Sequence, residues 1–199
     1  MGDLIESASH RPSLRQLLHR ARDTREPLLL PGCCDALDAR IIEQAGFDAV
    51  YMTGFGATAG LLARPDVGLI GLHEMADNAR RVAAATNLAV LAGAGTGCGN
   101  AIDVAHAVRT FEQAGVGGIH IEDQMKPKKC GHKENKSVVS TDEMVDKVLA
   151  ATAAMQNYVS QIKIDGTPVN ATQALMDFTE FTDFIGLPEI ASLEQRFGS

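Results

Sequence analysis

Hydrophobic residues occur along this chain in two alternating patterns. Short, nearly continuous apolar runs, typical of strands that are buried on both faces, occupy residues 28–30, 48–53, 88–92 and 116–122. Between them, apolar residues recur every three or four positions, as on one face of a helix, over residues 36–45, 72–86 and 101–114. The alternation predicts four consecutive β-α units with a parallel sheet, and therefore an α/β fold class.

The segments on either side of these units are predicted to be helical. Residues 14–21 have the pattern of a short amphipathic helix. Ser140 is a candidate N-cap with Glu143 at the third helical position, and this helix is expected to reach about residue 162. A last helix is expected over residues 170–186, and no strand is expected after Glu122. The predicted organisation is an N-terminal helical segment, a β/α part and a C-terminal helical segment, at residues 1–26, 27–150 and 151–199.

A parallel sheet binds its ligands at the carboxyl ends of its strands, whether it is open or closed into a barrel. The loops expected to form a site are therefore residues 32–35, 53–56, 93–100 and 122–132.

Composition limits the possible partners and the compartment. Of the 199 residues, 45% are hydrophobic and 22% are charged, which is ordinary for a soluble globular protein. The net charge of −7 argues against binding to nucleic acid or to an anionic membrane. Asp3 and Glu6 stand where a secretory signal would be apolar, and the four cysteines lack zinc-ligand spacing. A cytoplasmic protein with reduced thiols is expected.

The loop after the fourth apolar run carries the densest candidate chemistry. Glu122 and Asp123 end the run, and carboxylates at a strand end suit a hard divalent cation. Cys130 lies between Lys129 and His132, and neighbouring positive charge favours ionisation of a thiol. The alternative interpretation is a solvated basic turn after a core strand.

Other motifs also have two interpretations. Residues 93–99 are rich in glycine and could cradle a phosphate, but they lack the Lys-Ser/Thr of a P-loop, and such turns more often only permit tight geometry. Asp66 could be a ligand or could stabilise a turn. His73 and His106 fall in predicted helices and are expected to be surface or packing residues.

Several of these motifs occur in an order that is specific to one group of proteins. The sequence closely resembles the isocitrate lyase and phosphoenolpyruvate mutase superfamily over roughly residues 27–150. The motifs that carry the resemblance are Pro31-Gly32, Thr53-Gly54, Pro65-Asp66-Val67-Gly68, Gly97-Cys98-Gly99-Asn100, His120-Ile121-Glu122-Asp123-Gln124 and Lys128-Lys129-Cys130-Gly131-His132.

The resemblance implies a modified TIM-type β/α barrel, dependence on Mg (or Mn), and a homo-oligomer in which a C-terminal helix is exchanged between subunits. The Lys-Lys-Cys-Gly-His motif marks the lyase branch, which includes methylisocitrate and dimethylmalate lyases. Such enzymes cleave a carbon–carbon bond of a small 2-hydroxy or 2-oxo dicarboxylic acid through an enolate that the cation stabilises.

Residue roles follow from the resemblance position by position. Cys130 would protonate the carbanion, with Lys129 and His132 adjusting its acidity. The substrate-binding residues would be Thr53, Gly54, Phe55 and Gly131, and the metal ligands would be Asp66 and Glu122.

The sequence departs from the family pattern in two ways. Gly93 and Gly95 occupy positions at which the family normally carries aspartates that hold the metal. In addition, only four strands are predicted, whereas a barrel has eight strands and about 250 residues. A partial barrel exposes strand edges, so an oligomer is expected.

Three functions remain open from the sequence. The first is a carbon–carbon lyase with weakened metal binding. The second is a catalytically inactive relative that binds a carboxylate ligand or a full-length paralogue. The third, a phosphonomutase or hydrolase, is disfavoured by the loop that contains Cys130.

Overall fold

The computed structural model describes residues 12–130, 135–155, 163–164 and 167–168. In chain order its elements are α1 (Leu14–Thr24), β1 (Gly32–Cys33), α2 (Ala36–Gln44), β2 (Ala49–Met52), α3 (Gly54–Leu62), α4 (Leu72–Ala85), β3 (Ala89–Gly93), α5 (Ala101–Gln113), β4 (Gly118–His120), α6 (Thr141–Ala154), β5 (Lys163–Ile164) and β6 (Thr167–Pro168).

The first four strands form one parallel sheet in the order β1-β2-β3-β4. Helices connect them, because parallel strands need long crossovers. The predicted α/β class and the parallel arrangement of four β-α units are therefore confirmed.

The core lies between this sheet and the helices that cover it. Met52 and Val90 from the central strands are fully buried with Val82 of α4 and Phe111 of α5. A smaller cluster joins α1 to the sheet through Leu14 and Leu17. Burial on both faces explains why the central strands read as continuous apolar runs in the sequence.

The first strand is not at residues 28–30, where the apolar run predicted it. Leu28 and Leu30 instead pack into the small cluster beneath α1. The ladder begins later, where the Tyr51 amide donates to the Pro31 carbonyl at 2.9 Å, and β1 is Gly32–Cys33. Packing against a helix, rather than strand pairing, accounts for the apolar run.

The segment after β2 was expected to be a connection, but it contains helix α3. Its glycines disfavour a helix in an isolated chain. Thr53 supplies the N-cap, since its hydroxyl accepts from the Gly56 amide at 3.4 Å. Burial of Gly56, Ala57 and Thr58 stabilises α3, although the helix propensity of its sequence is low.

Two expectations for the C-terminal part are wrong. Helix α6 has the predicted cap, with the Ser140 hydroxyl accepting from the Glu143 amide at 3.2 Å, but it ends at Ala154 rather than near residue 162, and Met155 is extended. Strands also occur after Glu122, because β5 and β6 form an antiparallel pair.

The predicted helix over residues 170–186 lies outside the described residues. The proposed division at residues 26 and 150 stays a prediction. Among the described residues, no helix is both long and apolar enough to span a membrane.

Candidate functional site

The carboxyl ends of the parallel strands meet at one edge of the sheet, as the topology requires. The Ala94 amide donates to the His120 carbonyl at 2.9 Å, and the Glu122 amide donates to the Gly95 carbonyl at 2.7 Å. These bonds tie the glycine-rich loop after β3 to the acidic segment after β4. Two of the four loops predicted to form a site are therefore adjacent.

Lys128 connects the two carboxylates that were predicted to bind metal. Its Nζ lies 3.0 Å from Oδ2 of Asp66 and 3.4 Å from Oε1 of Glu122. Only 8% of the lysine is exposed, and Asp66 is buried as well. The structure thus brings Asp66 and Glu122 together, with an ammonium group between them.

The environment of Lys128 keeps it charged. Desolvation by burial acts to lower its pKa, but the hydrogen bond with Asp66 and the charges of Glu122 and Asp66 outweigh this effect, so the pKa is raised above its usual 10.5. A buried charge is tolerated when it is paired and hydrogen-bonded. Lys128 is therefore an ammonium at neutral pH.

Gln124 holds the loop that carries the lysines. Its Nε2 donates to Oε2 of Glu122 at 2.7 Å and to the carbonyl of Lys129 at 3.0 Å, while its Oε1 accepts from the Lys129 amide at 3.0 Å. The Gln124 side chain is buried. One amide side chain thus fixes the backbone just before Cys130 relative to Glu122.

The thiol predicted to act as the acid lies next to this clamp. Cys130 is buried. The Lys129 ammonium donates to the Asn135 carbonyl at 2.7 Å. Gly131 and His132 lie outside the described residues, so the proposed influence of Lys129 and His132 on the thiol stays a prediction.

Three of the four residues predicted to bind substrate lie at the start of α3, and the fourth, Gly131, lies outside the described residues. Thr53 is the N-cap, and Gly54 and Phe55 are the first two helical residues. The first backbone amides of a helix lack intrahelical acceptors, and with the helix dipole they favour an anion. Binding of a substrate carboxylate by Thr53, Gly54 and Phe55 stays a prediction.

Tyr51 lies beside this helix start. A Cβ atom at Gly93 would be 3.0 Å from the Tyr51 hydroxyl and 3.5 Å from the Gly54 amide nitrogen. Burial raises the pKa of Tyr51, and the negative charge of Glu122 raises it further. The phenol therefore remains protonated at neutral pH and can donate a hydrogen bond.

A cavity of about 570 Å³ opens over these groups, which is within the usual size of small-molecule sites. Gly54, Asp66, Gly95 and Lys128 contribute to its lining. Helix α4 and the loop before it provide an apolar wall that includes Leu72 and Met75. The cavity thus combines charged groups on one side with apolar surface on the other.

The donor set around the cavity does not fit a resident magnesium ion. Mg²⁺ needs octahedral oxygen ligands at about 2.0–2.1 Å. The space between Asp66 and Glu122 holds the Lys128 ammonium, and Gly93 and Gly95 supply no side-chain oxygen. Within the described residues, no group of three or more histidine, cysteine or acidic side chains converges as a metal site. Metal binding by Asp66 and Glu122 stays a prediction.

The sequence did not single out Lys128, Gln124 or Tyr51 as site residues. Lys128 and Gln124 lie in the motif that was identified, but a buried lysine cannot be distinguished from a solvated one by its neighbours in sequence. The sequence held one signal for Lys128. Gly93 and Gly95 replace the aspartates that hold the metal in the family pattern, so a cation other than the metal is needed to balance the negative charges of Asp66 and Glu122.

Comparison with known sequences gives a consistent result. The sequence model of the family described as phosphoenolpyruvate phosphomutase matches residues 14–166. The 2,3-dimethylmalate lyase of Eubacterium barkeri is 45% identical over 144 residues, which cover 72% of this chain and 48% of that protein. A probable 2-methylisocitrate lyase of Corynebacterium glutamicum is 44% identical over 150 residues, covering 74% of this chain and 49% of that protein.

Solved structures agree with the sequence matches. An oxaloacetate acetylhydrolase in complex with 3,3-difluorooxalacetate superposes with a TM-score of 0.69 at 39% identity, covering 76% of this chain and 50% of the other. A 2,3-dimethylmalate lyase superposes with a TM-score of 0.67 at 29% identity, covering 93% of this chain and 67% of the other. The chain therefore spans about half the length of most of these relatives.

Proposed function

Because this chain belongs to the phosphoenolpyruvate mutase/isocitrate lyase superfamily, we propose that it binds a small 2-hydroxy or 2-oxo dicarboxylic acid and cleaves its carbon–carbon bond. The observation that carries the proposal is the grouping of an anion-favouring helix start, a buried ammonium and a buried thiol around one edge of the sheet. Among the relatives, 2,3-dimethylmalate lyase supports a hydroxy dicarboxylic acid, and 2-methylisocitrate lyase supports the related hydroxy tricarboxylic acids.

The residues of this chain divide the chemistry between them. The N-terminus of α3, at Thr53, Gly54 and Phe55, would hold one substrate carboxylate. Removal of the 2-hydroxyl proton by a base lets the carbonyl form while the carbon–carbon bond breaks, and the electron pair of that bond remains on the departing fragment as an enolate. A 2-oxo acid would first add water, and a hydroxyl of its hydrate would lose the proton. The Cys130 thiol would then give its proton to that carbanion.

The proposal is tested by product analysis with a panel of acids. The full chain is incubated with 2-methylisocitrate, 2,3-dimethylmalate, isocitrate and oxaloacetate, and products are followed by NMR. We expect cleavage of at least one acid, and Cys130→Ser should lower kcat by about 10²–10⁴-fold, the usual contribution of general acid catalysis.

Cys34→Ser is the matched control for this substitution. Cys34 is a half-buried thiol that does not line the cavity, so its loss should leave turnover unchanged. Cleavage that survives Cys130→Ser would contradict the assigned acid, and the absence of any product would contradict lyase activity.

A second candidate function is binding of the same acids without turnover. It is favoured by Gly93 and Gly95, which leave the site without the carboxylates that the family pattern provides. In that case calorimetry would detect binding of a diacid while NMR detects no product. A full-length paralogue remains an alternative partner for such an inactive chain.

A further inference from the structure

We propose that the Lys128 ammonium serves as the built-in cation of this site, so that the site binds its anionic ligand without a divalent metal. This inference rests on the proposed carboxylate-binding site and adds which group supplies the positive charge in that site. It departs from the metal dependence that the family resemblance implies.

The first support is the position of Lys128. A cation that is shared by Asp66 and Glu122 would lie between their oxygens, and the lysine nitrogen is there, at 3.0 Å and 3.4 Å. Both distances are within ion-pair range in a buried setting, where charge interactions are stronger than in water. A divalent ion at the same place would have to displace the ammonium and leave it buried without a counter-charge, which is strongly unfavourable.

The second support is the way the two loops accommodate the lysine stem. A Cβ atom at Gly95 would lie 3.9 Å from both Cδ and Nζ of Lys128, and one at Gly68 would lie 3.5 Å from Cγ. The stem thus passes two residues that have no side chain. An aspartate at position 95 would point towards the ammonium, whereas glycine leaves that side open to the cavity.

The third support is the balance of charge. Two aspartates and one divalent cation carry no net charge together, so losing both aspartates and the metal leaves the charge of the site unchanged. What remains is Asp66, Glu122 and Lys128. A site that had lost only the carboxylates would carry an excess of positive charge.

The fourth support is the donor capacity of the ammonium. A lysine has three N–H donors. Asp66 and Glu122 take two of them among the described residues, which leaves one for a ligand oxygen. Because Lys128 lines the cavity together with Gly54 at the start of α3, a small dicarboxylate could contact both groups at once.

The test is oxalate binding by titration calorimetry on the full chain, first in EDTA and then in excess MgCl₂. Oxalate is the probe because it is a minimal dicarboxylate. We expect the same affinity for free oxalate in both conditions, once the oxalate that Mg²⁺ chelates in solution is accounted for. Binding that requires Mg²⁺ would overturn the proposal, and so would the absence of binding in both.

Substitutions then assign the effect to one side chain. Lys128→Met should weaken oxalate binding by at least about tenfold, equivalent to about 1.4 kcal/mol. Lys126→Met is the matched control, since Lys126 also lines the cavity but is exposed and donates to the Cys98 carbonyl at 2.9 Å. An equal loss in both variants would indicate a general effect of charge and would overturn the role of Lys128.

Lys128→Met leaves two carboxylates unpaired and could fail to fold. The double variant Asp66→Asn/Lys128→Met removes one charge of each sign, and it should fold and still lose oxalate binding. Wild-type affinity for oxalate in this double variant would contradict the proposal.

Electron paramagnetic resonance of Mn²⁺ gives a readout that does not depend on oxalate. The wild-type chain should leave the spectrum of the free ion unchanged, whereas a tightly bound ion in the wild-type chain would overturn the proposal. This outcome is separate from that of the lyase assay. Oxalate binding in EDTA without cleavage of any acid would support this inference and contradict lyase activity. Cleavage that requires Mg²⁺ would support lyase activity and contradict this inference.

Discussion

At the scale of single residues, burial rather than sequence context determines which side chains are chemically active. The four cysteines illustrate this. Cys33 is a fully buried residue of β1, and burial together with the charge of Asp38 raises its pKa to about 12 from an ordinary value of 9.0. Cys34, the next residue, is half-buried, with its amide bonded to Asp38 at 2.9 Å. Two adjacent thiols thus have different access to reagents.

This difference predicts the pattern of alkylation. In the native chain at pH 8, iodoacetamide should modify the half-buried Cys34 and leave Cys33 unreacted. Burial and Asp38 raise the pKa of Cys34 too, but Cys33 is also inaccessible, and its pKa of about 12 lowers its thiolate fraction about a thousandfold relative to a thiol of pKa 9.0. Peptide mass mapping measures the result, and the same reaction in urea is the control in which both thiols react. Equal native rates would show that the packing around Cys33 is wrong.

The sign of the related pH effect follows from the same shift. Folded Cys33 keeps its proton at a pH where the unfolded chain loses it. Its contribution to stability is therefore complete below pH 9.0 and decreases as pH rises towards 12.

At the scale of secondary structure, α3 is the element that the site depends on most and the sequence predicts least. It begins at Gly54, which lines the cavity. Its glycines have opposite roles. A Cβ atom at Gly56 would lie 2.4 Å from the Cys34 sulfur, whereas at the exposed Gly60 it would meet nothing within 4 Å.

The two glycines predict substitutions of opposite sign on one helix. Gly60→Ala should stabilise the chain by about 0.5–1 kcal/mol, because alanine loses less backbone entropy in a helix. Gly56→Ala should destabilise it by about 1–3 kcal/mol through overpacking against Cys34. Urea denaturation followed by circular dichroism measures both. Stabilisation by Gly56→Ala would mean that α3 does not pack against the loop after β1.

At the scale of the whole molecule, the sheet is open. Within the described residues, β1 and β4 each pair with one neighbouring strand only. Several large apolar side chains are exposed, and Ile102 on α5 is 80% exposed. Open edges and apolar surface favour association. The exchange of a C-terminal helix between subunits concerns residues outside the described part and stays a prediction.

These features predict a homo-oligomer in solution. Sedimentation velocity should give a mass of at least twice the 21.1 kDa of the chain, with dissociation on dilution as the control for non-specific aggregation. A single 21.1 kDa species at every concentration would contradict this prediction. It would mean that the edge strands remain unpaired in a stable monomer.

The sequence by itself determined the order of elements and the loops of the site. Continuous apolar runs predict strands buried on both faces, and the parallel topology then places the loops after β2, β3 and β4 at one edge. The residues of the helix start and of the lysine loop were found in this way, and the family was identified from the same motifs. The expected short helix at residues 14–21 was also confirmed, as α1.

Only the tertiary structure decided which partners these residues have. Residues 28–30 are apolar because they pack beneath α1. A buried strand would have the same apolar pattern, so the sequence could not distinguish the two. Helix α3 exists because long-range burial outweighs its glycines. The contact of Lys128 with Asp66 joins residues 62 positions apart in the chain. Charge pairing over such separations depends on where loops converge in space, which local sequence patterns do not encode.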